Sequence, residues 1–495
     1  MTNGDFKKGI VMHTYRLAVV GLVVALSAAA WAEDRPLYTP ANAPAPPAVD
    51  ELERRASIEQ YGITWTFDEP VPVGRFVTGD YYVVGPVTVA SVSPGRTGRG
   101  EDFRHGSMLN PPVNNVTAYD GRYTNVRQEH LDQAARFPLA MEPGDSLVSS
   151  ISLDERTQNE VLHGPHRDRP ARSPSQAMAV LTVLEAPVPA DTFRPGYADR
   201  EKDRLHRASE IQWDVLPRLE LPGNAPDIEE VARWFSRPWI DHVRGWTSRD
   251  IHAVQNMPGY GREVGRAVSI GALMMLGDFS DEARAPLVYG MVQVGIDNFA
   301  VAARGGGWPA QGGFGNGRKL PILLAGILLD DERMQNLAEH APDAVFGEDQ
   351  HTEFGEAWTG ASVRFTGQYP EAFASNPERH ADRGPYEHLE PRDWPGNRPT
   401  MSESYRRCCT SISWVGQALA VRLLEAEDIW GHDAFFAYVD RWMTEDDTEH
   451  RRIMQEQIGW SGGIRQGTTV FDPFVDRMWQ MHRGTVEPSA EQTWR

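Results

Sequence analysis

With 495 residues, 40% of them hydrophobic, and a formal net charge of −20, the chain is long enough for two or three domains with sizeable cores. Its acidic balance argues against nucleic acid as a partner. The two cysteines, Cys408 and Cys409, are adjacent, which excludes a disulfide framework; neighbours pair only in a strained ring, so two buried thiols on a helix is the expected state.

At the N-terminus, Lys7, Lys8 and Arg16 precede the apolar run "LAVVGLVVALSAAAW", and Ala30-Trp31-Ala32 reads as a cleavage site. Residues 1–32 are therefore expected to be an export signal, which places the mature chain in the periplasm or outside the cell. The run is short for a membrane span, and no other segment is apolar enough to cross. Residues 33–60 begin Pro/Ala-rich and read as a tether. From Ile63 the texture is that of strands: "ITWTF", then "GRFVTGDYYVVGPVTVASV" with Gly79-Asp80 as a hairpin turn, then "SLVSSISL" and "AMAVLTVLEAPV". These predict a β-sandwich-like domain over 61–190. Residues 191–225 are polar and connecting, with a short helix expected from Glu201.

From Asp227 the period turns helical. Asp227 can cap a helix to about Trp246, with Glu230 placed for a capping box. "YGREVGRAVSIGALMMLG" and "EARAPLVYGMVQVGIDNFAVAA" predict a helical pair joined by a turn at 278–281, and "LPILLAGILL" is apolar on every side, so protein must surround it. Near Ser402 another helix begins, with Tyr405, Cys409, Ile412, Gly416, Leu419 and Leu423 on one stripe; "HDAFFAYVDRWM" is the last pattern. The whole predicts a multidomain α+β chain, a β-sandwich-like domain followed by an α/α toroid over 226–495. The helical part is short for a complete ring, and a plain bundle is the alternative. Residues 342–400 lack periodicity and are too long for an idle connection, so functional loops are expected there.

The stretch "GGGWPAQGGFGNGRKLP" (305–321) stands out, with seven glycines in its first thirteen residues. Gly317 is followed by Arg318-Lys319-Leu320, which satisfies neither a P-loop nor a dinucleotide fingerprint. Pro321 fits only the first turn of a helix, so Asn316 is the expected cap. Arg318 and Lys319 then sit at the positive end of the macrodipole, each costing about 0.3–1 kcal/mol. A bound anion would reverse that penalty. Of four lysines, only Lys202 and Lys319 lie beyond the signal. On this reading Arg318→Ala weakens ligand binding and leaves stability intact; the alternative is a floppy connection with its cations in solvent.

The stretches "GNGRKLPILLAGILLDD", "SYRRCCTSISWVGQALA" and "GITWTFDEPVPVGRFVTGDYYVVGPVTV" resemble exported bacterial polysaccharide lyases of the alginate and glucuronan lyase type, over about residues 60–445. The resemblance implies β-elimination on an anionic uronate polymer by a tyrosine, often helped by histidine, asparagine and arginine. Such chemistry needs a base for the C5 proton, cationic or amide groups to neutralise the neighbouring carboxylate, and an acid for the leaving O4. A tyrosine, ordinarily with a pKa of about 10, needs cations nearby to favour the phenolate. Tyr405 is the leading candidate, at the start of its helix's stripe with Arg406 and Arg407 beside it. Tyr260 is second, accompanied by His252, Asn256 and Arg262. Substrate contacts are expected from Trp308, Gln311, Asn316, Arg318 and Lys319 of the glycine loop, from His351 and from Arg406; Tyr386, Phe314 and Trp358 are further rim or stacking candidates. No cofactor is implied, and the histidine spacing matches no strong metal motif. Two other readings remain. One is a glycoside hydrolase using paired carboxylates drawn from Glu348, Asp349, Glu353, Glu356, Asp330 and Asp331. The other is a non-catalytic surface protein that binds polysaccharide through its β domain.

Overall fold

A computed structural model describes residues 36–154, 173–199, 202, 204–244, 251–460 and 469–486. The expected export signal and the expected helix start at Glu201 lie outside the described residues.

Strands β1 (Glu53–Gln60), β2 (Ile63–Arg75), β3 (Tyr81–Val84), β4 (Val87–Ser93), β5 (Ser107–Leu109), β6 (Leu139–Met141), β7 (Ser146–Ser152) and β8 (Ser175–Leu184) form one curled sheet, a half-barrel. Its order is β5-β7-β8-β3-β2-β4-β6, with β1 also on β2. All the pairings are antiparallel except β3 with β8. The expected sandwich is corrected here, and β2 gives the reason. It pairs with β4 near its start (Thr64 opposite Ser93) and with β3 near its end (Val73 opposite Val83), so strands that a sandwich would divide stay in one sheet. Period-2 alternation sends side chains both ways. Leu147, Ala179 and Leu181 join a β core with Trp65, Phe67 and Val83, while Val148, Met178 and Val180 join the large cluster that contains the helices.

The expected tether at 33–60 is also corrected over its described part. β1 is a strand of the sheet, Tyr38 donates its backbone N–H to Tyr289 Oη (3.0 Å), and Arg207 donates to the Pro44 carbonyl (2.7 Å). The 191–225 segment likewise carries buried Phe193, Arg194 and Tyr197. Arg194 lies between Asp80 of the β2–β3 hairpin (2.9 Å) and Asp297 (2.5 Å), tying sheet to helices through a fully buried ion pair.

The longer helices are α1 (Ile228–Trp234), α2 (Gly261–Met275), α3 (Asp281–Ala302), α4 (Lys319–Leu329), α5 (Arg398–Tyr405), α6 (Ser411–Leu423), α7 (Asp433–Thr444), α8 (Thr448–Ile458) and α9 (Pro473–His482). Asp227 caps α1, accepting from the Glu230 N–H at 2.9 Å. The helix stops at Trp234 rather than about Trp246, because Pro238 lacks an amide hydrogen and disfavours helix in the residue before it. Every α4 residue except Ile327 is buried, as an all-round apolar helix requires. Between α5 and α6, residues 406–410 form a π turn in which the Ser411 N–H reaches back to the Arg406 carbonyl. The stripe drawn from Tyr405 through Leu423 is thus broken into two registers. No helix of the described residues is long and apolar enough to cross a membrane.

Candidate functional site

The cations at the α4 N-terminus do have anions, but the protein supplies them. Arg318 is 2% exposed; its Nε donates to Asp241 Oδ2 at 2.8 Å and its Nη1 to the Phe314 carbonyl at 2.9 Å. The other oxygen of Asp241 meets His252 Nε2 at 2.9 Å, and His252 Nδ1 faces the Pro258 carbonyl at 3.1 Å. Burial alone would push the Asp241 carboxyl up, but the Arg318 guanidinium and His252 hold it well below the usual carboxylate range. Lys319 is paired with Asp349, which also accepts from Trp430 Nε1 at 2.9 Å, and its ammonium lies 4.8 Å from the Trp430 ring centroid. The expectation of two cations awaiting a ligand is therefore corrected. His252 is equally committed: Nε2 lies against both Asp241 and Arg318 Nη2 (3.4 Å) and Nδ1 against the Pro258 carbonyl, so neither ring nitrogen is turned toward a substrate.

The same physics removes most of the other expected contacts from the open surface. Asn256 accepts from the Met178 N–H (3.0 Å) and donates to the carbonyls of Met178 and Pro238 (2.8 Å each), stapling its loop to β8. Arg262 pairs with Glu263 and donates to the Cys408 carbonyl at 3.1 Å. Trp308 is 3% exposed, with its indole N–H on the Asp241 carbonyl. Asn316 does not cap α4; it is buried and donates to the Cys409 carbonyl (3.0 Å) and Ser413 Oγ (2.9 Å). His351 is enclosed against Phe365 and Trp414, and burial pushes its imidazole down to about 3, so it carries no charge for a carboxylate. Arg406 sits among Glu387 (2.7 Å), Glu403 (3.3 Å) and the Tyr438 hydroxyl (2.7 Å), and Arg407 pairs with Glu403 and Asp447. Their charges are spent inside the fold rather than on Tyr405. Tyr386 is buried on Glu403, and Trp358 packs edge-on to His450.

What stays open is the outer face of the glycine loop. The loop is glycine-rich because backbone lies on backbone. A Cβ at Gly261 would come within 1.9 Å of the Gly313 carbonyl oxygen, and one at Gly313 within 2.3 Å of the Cys409 oxygen. Gly312 (φ +64°) lies under the ring of Tyr405, whose Cδ1 would be 2.7 Å from an added Cβ. Tyr260, at the N-cap of α2, donates its hydroxyl to the Gly312 carbonyl at 2.9 Å and meets Phe314 edge-on at 4.9 Å. Tyr260, Gln311, Phe314 and Tyr405 are all half-buried. Of the residues expected to act, the structure thus brings together Tyr405, Tyr260 and Gln311.

The long 342–400 segment adds three residues the sequence did not single out. Gln368 Nε2 would lie 3.1 Å from a Cβ added to Gly312, next to Tyr405, and donates to the Tyr369 hydroxyl at 3.0 Å. Arg383 stands 5.9 Å from the Tyr369 ring centroid and has no carboxylate partner among the described residues. The signal for them was the length of the aperiodic stretch, which marked a region but no residue. Asp241 was missed as well; a lone acid inside the apolar run "WIDHV" was its only trace.

Cys408 and Cys409 are joined in a disulfide, not two thiols. A regular α-helix sends adjacent side chains to different faces; the π turn at 406–410 departs from that geometry and lets the neighbours meet. Among the described residues, no group of His, Cys, Asp or Glu side chains is arranged to hold a metal ion. Of the six acids offered for hydrolysis, four are held by partners inside the fold, and Glu356 and Asp330 are exposed. Glu348 is buried beneath the loop on the Gly317 N–H (2.6 Å), Asp349 holds Lys319, Glu353 holds Arg364 (2.6 Å), and Asp331 caps the next turn and meets His206 (3.1 Å). Comparison with protein-family models, curated proteins and solved structures returned no significant match for this chain.

Proposed function

We propose that the chain is an exported polysaccharide lyase that cleaves a uronate-containing polymer of the alginate or glucuronan kind by β-elimination, with Tyr405 as its base and acid. The observation that carries this reading is Tyr405 itself: a half-buried phenol laid on Gly312, beside an amide and a second phenol, with no hydrogen bond to its hydroxyl among the described residues. An acid/base group needs that combination of a fixed ring and a hydroxyl left for the substrate. In this reading Tyr405 removes the C5 proton and returns a proton to the departing O4. Gln311, the Tyr369 hydroxyl and Arg383 face the uronate carboxylate and stabilise charge as it grows in the transition state. Gln368 orients Tyr369, Phe314 stacks on a sugar ring, and Tyr260 holds the loop through Gly312. Helices α2–α4 and α6 belong, in the same proposal, to an open α/α toroid whose cleft runs along the glycine loop.

The hydrolase reading has less support, because four of the six acids offered for it are held by partners inside the fold. The experiment is to incubate the mature chain with a panel of polyuronates and follow ultraviolet absorbance. Elimination leaves a conjugated double bond that absorbs; hydrolysis leaves none. Shortened chains without new absorbance would replace the lyase with a hydrolase, and no shortening of any polymer would favour a binding protein.

A further inference from the structure

The Cys408–Cys409 disulfide occupies the middle of the π turn, between Tyr405 on one side and α6 on the other. Four contacts join this short segment to the candidate site. The Cys408 carbonyl accepts from Arg262 of α2 (3.1 Å), and the Cys409 carbonyl accepts from Asn316 of the glycine loop (3.0 Å). Gly313 packs directly on the Cys409 backbone, and Gly312 packs on the Tyr405 ring. The Thr410 hydroxyl closes the turn from within, donating to the carbonyls of Tyr405 (3.2 Å) and Arg406 (3.0 Å). The carbonyl that holds α2 and the carbonyl that holds the loop therefore belong to the two residues the disulfide links.

A bond between adjacent side chains closes a small ring that includes the peptide between them, so it restricts the Cys408 carbonyl directly and the Cys409 carbonyl only through the φ of Cys409. A dithiol at the same place lacks that restriction, and a π turn is one hydrogen-bond register away from continuing as ordinary α-helix. Such a shift would turn Tyr405 relative to Gly312 and release Asn316 and Arg262 from their acceptors. Cys408 is half-buried, so a small thiol can reach the bond.

We infer that the Cys408–Cys409 disulfide is a positioning element: it holds the π turn in the register that seats Tyr405 on the glycine loop, and its reduction uncouples the two without unfolding the chain. The inference rests on the Tyr405 reading for its effect on turnover, but its structural part stands apart from any substrate. Reduction breaks one S–S bond; dithiothreitol supplies two electrons and two protons, yielding two cysteine thiols and the oxidised cyclic reagent.

The test is hydrogen exchange on the full mature chain, native against dithiothreitol-reduced, with Cys408→Ala/Cys409→Ala as a second route to the unlinked state. Thiol titration confirms reduction, and near-ultraviolet circular dichroism confirms that the fold persists. Exchange should rise about tenfold or more in peptides covering 311–318 and 405–413, with β8 and α3 unchanged. On a cleaved polyuronate, kcat should fall at least about tenfold with a smaller change in KM, as misplacement of a reacting group does. Unchanged exchange in those two peptides overturns the inference whatever the enzyme activity; raised exchange with full turnover retained upholds the inference and overturns Tyr405 as the reacting group. If the native chain cleaves no polyuronate, it is the lyase reading that fails, and the exchange comparison then decides the inference alone.

Discussion

Arg318→Ala separates a structural cation from a ligand-binding one. Arg318 and Asp241 are each 2% exposed, and the guanidinium holds one carboxylate oxygen together with the Phe314 and Asn316 carbonyls. Truncation leaves Asp241 in the core with His252 as its remaining side-chain partner and strands two loop carbonyls. Breaking one side of a buried pair costs about 3–5 kcal/mol, a large part of the roughly 5–15 kcal/mol that holds a folded domain together. Melting should therefore drop by roughly 5–10 °C. Scanning calorimetry should be run beside Arg452→Ala, which deletes an exposed arginine paired with Glu449 and Glu456; that control should melt within about 1 °C of the parent. The pH dependence has a definite sign. A depressed carboxylate contributes stability above its ordinary value of about 4 and loses it as pH falls through the folded value. Without Arg318 the depression shrinks, so acid unfolding should begin at higher pH than in the parent. An Arg318→Ala chain that melts with the Arg452→Ala control would refute the buried-pair explanation and restore the cation to the ligand.

Glu348 carries the opposite sign: burial raises its carboxyl, so stability is present below about pH 4 and declines as pH rises through the folded value. Glu348→Gln keeps an acceptor for the Gly317 N–H and removes the titration, so its melting temperature should gain on the parent as pH rises above about 4 and level off once pH passes the folded value. Parallel melting curves would show that Glu348 does not titrate with folding. Gly312→Ala places a methyl against Tyr405 at a left-handed φ; turnover should fall at least about tenfold, and a variant cleaving as fast as the parent would show that the ring's seat is irrelevant.

Local pattern and local chemistry were enough to read much of the fold. Asp227 announced α1 by its cap, the all-apolar α4 announced its burial, and Gly79-Asp80 announced the β2–β3 turn. β1 was hidden because "ERRASIEQ" is charged on the side that stays exposed, so it read as tether. At the site, the error was one of partners. Arg318 meets Asp241 and Asn316 meets Cys409 only after folding, and no spacing along the chain announces either contact. The glycines were legible as close approach, but what approaches them is backbone from α2 and the π turn, not a ligand. Tyr405 was legible by position, whereas Gln368, Tyr369 and Arg383 lie in a segment without periodicity, where only contact distinguishes one polar residue from another.

Whether Tyr405 is the reacting phenol is decided by turnover and melting temperature of Tyr405→Phe, taken on one preparation with a polyuronate the parent cleaves. The phenylalanine ring packs on Gly312 as the tyrosine does, so melting should stay within about 2 °C. Loss of the acid/base hydroxyl should cut turnover by at least about 10²–10³. A folded Tyr405→Phe chain that cleaves at the parent's rate would contradict the assignment and leave Tyr260, the other phenol on the same loop, as the group to change next.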